Sequence, residues 1–252
     1  MGVWPTEETN KEEALMRVIH RVQTTPPATG HLETDRIEAL TDGVFAIVMT
    51  LLVHELRVPH VEHPSELPGQ LAALWPNLVS YIISFVVLGV FWVGHHNQFH
   101  FIKRSDRKFM WINIFFLLSV SSIPFTAGLI GDYPGEQLAL ALYGLGLICT
   151  SLLLFTHWRY ATTNGRLVDT PVDTVTQSLV SRRILTQPLV YVVAILVSFL
   201  SPWVSFIIYV ATPLLYIFPT RLDQIWIGPG RSAQVASQPA RDSAAESGSG
   251  IP

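Results

Sequence analysis

Residues 35–54 read DRIEALTDGVFAIVMTLLVH and place Arg36 six residues before Asp42, which leads directly into an apolar run. A helix of about 20 residues is long enough to cross the hydrocarbon core of a bilayer. Charged groups in such a helix are costly, so they normally face a protein interior, a polar partner or water. This stretch is therefore a candidate functional site.

The composition of the whole chain is typical of an integral membrane protein. Of its 252 residues, 49% are hydrophobic and only 14% are charged, which is too apolar for a soluble domain of this length. The net charge of -3, without clustered Lys and Arg, argues against a nucleic-acid partner. The single cysteine, Cys149, can build neither a disulfide framework nor a cysteine metal site.

Apolar segments predict six transmembrane helices, and the fold class is therefore all-α. Pro202 between the last two short segments favours a break and a reversal of the chain there. The predicted spans are Ile37–Leu56, Trp75–Phe99, Phe109–Ile130, Leu138–Trp158, Ile184–Leu200 and Trp203–Phe218. This organisation divides the chain into a leader (1–35), a transmembrane domain (36–221) and a disordered tail (222–252).

The basic residues give the orientation of these spans. All 16 Lys and Arg except Arg57 fall on one side of the six-span arrangement. Because short loops rich in Lys and Arg stay in the cytoplasm, both termini are predicted to be cytoplasmic. The link 161–181, between the fourth and fifth spans, contains Gly165, Pro171 and several threonines and is predicted to be a solvated loop.

Polar residues of the first three spans are predicted to meet near the cytoplasmic surface. Asp42 lies about one and a half turns inside the first span, and His95, His96, Asn97 and Asn113 lie at a similar depth in the second and third. We expect Asp42 to contact one of the two histidines. Arg36 is six residues from Asp42 and needs a partner on another helix, or it snorkels to the interface.

Two other interpretations of these polar residues remain open. A coupled transporter could use Asp42 with His95 or His96 to carry protons. His96 and His100 also share a helix face in a way that is typical of iron-binding histidine motifs. The other histidines are scattered along the chain, however, so no metal is predicted.

Ile47, Thr50, Leu51 and His54 recur at helical spacing and form one stripe along the first span. From the residues alone, ordinary packing inside a helix bundle explains such a stripe better than the lining of a pore does.

The sequence resembles the transmembrane protein 175 family of endosomal and lysosomal potassium channels. Its signature, Arg-x-x-x-Phe-Ser-Asp followed by an aliphatic run and Thr-Leu, is similar to residues 36–52. The segments FWVGHHNQF (91–99) and WIN (111–113) running on to SSIPFT (121–126) are also similar to family sequences. The resemblance extends from about Arg36 to Arg221.

This resemblance implies a potassium-preferring cation channel in a prokaryotic plasma membrane, built as a homotetramer with the first helix around a central pore. Its expected partners are further copies of the chain and membrane lipid; potassium is the permeant ion, and neither a cofactor nor an enzymatic activity is expected. Ile47 and Leu51 correspond to the aliphatic constriction, and Thr50 to the hydroxyl layer. The expected site also includes a structural polar network, whose members are Arg36, Asp42, Trp92, His95, His96 and Asn113.

Three positions depart from the family pattern. Leu40 and Thr41 replace Phe and Ser of the signature, which keeps an apolar group and a hydroxyl but removes an aromatic ring. His54 stands where an aliphatic residue is usual. Four imidazoles at the outer mouth would become charged in mildly acidic solution and repel cations; an unchanged acid response in His54→Ala would rule this out.

Overall fold

A computed structural model describes residues 29–217 of the chain, and this part is helical. The predicted tail and most of the predicted leader lie outside these residues. The helices are α1 (Thr29–Leu51), α2 (Leu67–Ala73), α3 (Trp75–Phe99), α4 (Arg107–Ser121), α5 (Ile123–Asp132), α6 (Gln137–Thr162), α7 (Thr174–Ser198) and α8 (Pro202–Ile217). One-turn 3-10 helices occupy Leu52–Glu55, Pro64–Glu66 and Thr163–Gly165.

The predicted all-α membrane fold is confirmed. Five helical segments are long and apolar enough to cross a membrane, and the shorter apolar helix α8 follows them. They match the six predicted spans in order, although α1 begins seven residues before Arg36. Helix α1 thus extends across residues 35 and 36, where the predicted leader ends.

The third apolar segment, predicted as one span, is broken near its middle into two helices. Helix α4 ends at Ser121 and α5 begins at Ile123. Pro124 lies in the first turn of α5 and has no N–H to donate into the preceding turn, which favours a break in the helix here. The hydroxyls of Ser121 and Ser122 instead donate to the carbonyls of Leu118 and Ser119, at 2.8 and 2.7 Å.

The prediction that residues 161–181 form a solvated loop is wrong for most of this segment. Leu167 and Val168 are buried, and the backbone N–H groups of Lys103 and Arg104 donate to the Leu167 carbonyl. Helix α7 begins at Thr174, inside the predicted loop, where the Asp173 carboxylate caps it by accepting from the Thr176 N–H. Isolated apolar residues in this polar segment therefore dock it against the α3–α4 loop.

The two loops at this end of the bundle, residues 100–106 and 163–173, form what we call the basic end. Asp106 caps α4 by accepting from the Phe109 N–H at 2.8 Å and also accepts from the Tyr160 hydroxyl at 2.7 Å. Partial burial acts to raise the pKa of Asp106, but these hydrogen bonds and the nearby Arg166 hold it below its ordinary value. The carboxylate thus fixes the position where α4 starts.

Candidate functional site

Helix α1 attaches to the rest of the protomer by one face only. Its buried face packs into the core through Thr34, Ile37, Thr41, Phe45 and Val48, and Leu52 in the following 3-10 turn continues this face. The spacing of three and four residues places these side chains on one side of the helix. The opposite face is uncovered, although it carries large aliphatic side chains.

The predicted stripe lies on this uncovered face. Ile47 is 61% exposed and Leu51 is 45% exposed, and Thr50 is exposed beside them. His54 is exposed in the 3-10 turn that follows α1. Packing inside the protomer therefore does not explain the stripe.

The Thr50 hydroxyl is oriented by its own helix. Its oxygen lies 3.0 Å from the Ala46 carbonyl and 2.8 Å from the Ile47 carbonyl, so the hydroxyl proton is used within α1. A hydroxyl has one donor and two acceptor lone pairs, and the lone pairs remain available. The exposed oxygen can therefore accept from a donor or coordinate a cation.

Two polar contacts, one helical turn apart, join α1 to α3. The indole Nε1 of Trp92 donates to the Asp42 carboxylate at 2.8 Å. One turn nearer the basic end, Nδ1 of His96 lies 2.9 Å from the Glu38 carboxylate. The Trp92 and His96 rings stack with centroids 5.5 Å apart, so the two contacts form a continuous ladder.

A second, fully buried chain of hydrogen bonds joins α3, α4 and α1. Asn113 donates to the Thr41 hydroxyl at 3.2 Å, and its carbonyl oxygen accepts from Nε2 of His95 at 2.9 Å. The Thr41 hydroxyl in turn donates to the Ile37 carbonyl at 2.9 Å. The His95 ring, only 1% exposed, stacks on Phe116. Every polar atom named in this chain has its partner inside the protomer.

The structure differs from two of the predictions about polar residues, one for Asp42 and one for Arg36. Asp42 bonds to Trp92 instead of a histidine, because His95 is turned into the core and His96 reaches Glu38. Arg36 is exposed and makes no hydrogen bond or ion pair within residues 29–217. Within the protomer it therefore does not join the network.

The sequence reasoning missed three members of this region. Glu38 lies one turn from Asp42 on the same helix face, and this spacing was the signal for it in the sequence. Gln98 and His157 are polar residues in apolar segments; Nδ1 of His157 donates to the side-chain amide oxygen Oε1 of Gln98 at 2.7 Å. A polar residue that interrupts an apolar helix was the available signal in both cases.

The described histidines do not form a metal site. No group of three His, Cys, Asp or Glu side chains in residues 29–217 is arranged to hold a metal ion. His96 is engaged with Glu38, and His95 with Asn113. The arrangement instead holds one helix against two others.

Asn113→Ala should destabilise the protomer, because it leaves the buried His95 N–H without an acceptor. An unsatisfied buried donor costs about 1–3 kcal/mol, so the melting temperature in detergent should fall. Asn97→Ala is the matched control: Asn97 is half-buried and makes no side-chain hydrogen bond in the described range. That change should cost less than about 0.5 kcal/mol. Equal melting temperatures for the two variants would contradict the role of the buried chain.

Comparison with known proteins places this geometry in a family. The family described as the endosomal/lysosomal potassium channel TMEM175 matches residues 36–124, which contain most of α1, all of α3 and α4, and the ladder. A Streptomyces collinus protein named a potassium channel is 37% identical over 145 residues, covering 56% of this chain and 70% of the relative. The chain belongs to the TMEM175 family.

Two further comparisons, one of sequence and one of structure, are with Chamaesiphon minutus. A protein of that organism named a potassium channel is 34% identical over 178 residues, which cover 69% of this chain and 88% of the relative. The crystal structure of a lysosomal potassium-selective channel TMEM175 homolog from the same organism aligns with a TM-score of 0.65 and 30% identity. That alignment covers 73% of this chain and 96% of the crystallised chain, so the TMEM175 fold extends through nearly all of the described helices.

Proposed function

We propose that the chain is one subunit of a homotetrameric, potassium-preferring cation channel in which four copies of α1 surround the ion path. The observation that carries the proposal is the uncovered stripe on α1, opposite a face that is fixed in the protomer core. The relatives from Streptomyces collinus and Chamaesiphon minutus, which are named potassium channels, support the choice of ion. We refer to α1 as the pore helix.

In this arrangement Ile47 forms the narrowest layer. Four isoleucine side chains around an axis can close a pore by excluding water, which makes the passage of a hydrated ion costly. Leu51 lies one turn further along the same stripe and adds a second apolar layer. A pore of this kind needs no filter of backbone carbonyl groups.

Thr50 supplies the polar layer beside the constriction. Its hydroxyl proton is held by the Ala46 and Ile47 carbonyls, so an oxygen lone pair is free for the ion. Four such oxygens can replace part of the hydration shell of a cation. His54 lies beyond these layers, at the outer mouth, where its protonation would repel cations.

The ladder and the buried chain hold the pore helix at its inner half. Trp92 and His96 contact it through Asp42 and Glu38, while His95 and Asn113 reach it through Thr41. A pore helix with only one packed face needs such contacts, because its other face has no neighbour within the protomer. We place the basic end and both termini in the cytoplasm, on the distribution of Lys and Arg.

The test is potassium flux in liposomes that contain the purified protein and a potassium gradient. A channel should release potassium down its gradient at a rate set only by voltage and concentration. Flux that requires a proton gradient, with fixed stoichiometry, would instead indicate a coupled transporter. The absence of potassium flux under any gradient would contradict the proposal.

A further inference from the structure

The ladder has two contacts, of which one joins Trp92 to Asp42. Only the other, between His96 and Glu38, contains an imidazole, which can gain a proton. Imidazole gains and loses its proton between about pH 5 and pH 8, whereas the indole of Trp92 does not titrate. A cavity of about 270 Å³ opens beside this contact and is lined by Glu38, His96, Asn97, Phe99, His100 and Lys103. His96 is therefore accessible to protons from the basic end of the bundle.

The direction in which this contact acts on the pore helix follows from helical geometry. Glu38 and Ile47 are nine residues apart, which is about two and a half turns, so they point to opposite sides of α1. An attraction between Glu38 and His96 therefore draws the inner half of α1 toward α3. The same movement takes α1 away from the side on which Ile47 lies.

We propose that Glu38 is a positioning residue of the pore helix, and that protonation of His96 strengthens its contact with Glu38 and favours the open pore. The inference rests on the proposed channel function. With neutral His96 the contact is a single hydrogen bond; with protonated His96 it becomes an ion pair, and the Trp92 stack gains a cation–π contribution. Acidification of the cytoplasmic side should therefore increase conduction.

The other charged and titratable groups around His96 do not reverse the expected effect of acidification on conduction. Asp42 on α1 accepts from the Trp92 indole and keeps its place in the ladder. Lys103 keeps a constant positive charge and lies against the Phe99 carbonyl at 3.5 Å. His95 lies on α3 with His96 and is buried against Asn113, whereas His100 follows α3 and lines the cavity.

The experiment measures potassium currents in inside-out patches, where the cytoplasmic pH is set directly. Between pH 8 and pH 6 the wild-type current should rise roughly two- to fivefold, the range expected for a partly exposed ion pair. His96→Gln should abolish this rise, and His96→Lys should give a high current at both pH values. Glu38→Asp should keep part of the rise, and Glu38→Gln should remove it.

His100→Gln is the matched control, because it removes a titratable imidazole from the same cavity but leaves the ladder intact. It should retain the wild-type pH response. The proposal is overturned if His96→Gln keeps that response, or if it lowers the current equally at both pH values, as a purely structural role would.

A second measurement separates this inference from the proposed function. Protonation of His96 changes the ring that stacks on Trp92, so the emission of Trp92, taken as wild type minus Trp92→Phe, should change between pH 8 and pH 6 in detergent. His96→Gln should abolish that change. A fluorescence change without potassium current would contradict the channel function alone; a current without cytoplasmic pH dependence would overturn the role of Glu38.

Discussion

Alanine in place of Ile47 should raise the leak of both potassium and sodium by about tenfold or more. The removed side chains form the apolar layer that keeps water out of the constriction, and each 1.4 kcal/mol taken from a barrier increases a rate about tenfold. Because Ile47 is 61% exposed in the protomer, its truncation leaves no internal cavity. The measurement is the rate of ion release from liposomes under potassium and sodium gradients.

The matched control for this prediction is Leu189→Ala on α7. Leu189 is 65% exposed, which is close to the value for Ile47, but it lies on a helix that we do not place at the pore. Its truncation should leave both leak rates within about twofold of wild type, as is usual for an exposed apolar residue. A leak that rises equally in both variants would indicate general loosening of the fold.

Valine in place of Thr50 should lower the preference for potassium over sodium by roughly fivefold, which corresponds to about 1 kcal/mol. Valine keeps the branched shape of threonine but has no oxygen to offer the ion. Since the Thr50 hydroxyl bonds only to its own helix in the protomer, its loss breaks no contact between helices. The ratio of permeabilities is obtained from the reversal potential in mixed potassium and sodium solutions.

Thr50→Ser keeps the hydroxyl and loses only a methyl group, so the preference for potassium should stay near the wild-type value. An unchanged ratio in Thr50→Val would remove Thr50 from the selectivity layer. Reduced selectivity in the serine variant as well as the valine variant would indicate that the width of the pore, and not the oxygen, determines the preference.

The spans and the stripe on α1 could be predicted because both depend on local patterns. Twenty apolar residues in a row have few alternatives to a membrane-spanning helix, and Ile47, Thr50 and Leu51 share a face by helical spacing alone. What the pattern could not decide was whether that face is covered, since this depends on where the other helices pack.

The partners of the polar residues could not be predicted from depth alone. His95 and His96 are adjacent, and helical geometry points them about 100° apart, so only one can face α1 while the other enters the core. The predicted contact between Asp42 and a histidine did not take this into account. Trp92, one turn before His96, lies on the face that reaches Asp42.

The docking of residues 163–173 depends on tertiary contacts that a polar segment does not reveal. The local signs of it were apolar side chains in this segment: Leu167 and Val168 are buried against the α3–α4 loop, and Val172 packs against the core. The break at Ser122 had a clearer local sign in Pro124, which cannot continue the hydrogen bonding of the preceding turn.

The central claim, that the Ile47 side chains of four protomers meet in the ion path, is tested most directly by cadmium block of Ile47→Cys in a Cys149→Ser background. Thiolates bind soft metal ions, and four of them around one axis form a site inside the pore. The account predicts that cadmium stops potassium flux through Ile47→Cys and has no effect on Leu189→Cys in the same background. Potassium flux through Ile47→Cys that continues unchanged in cadmium would contradict the claim.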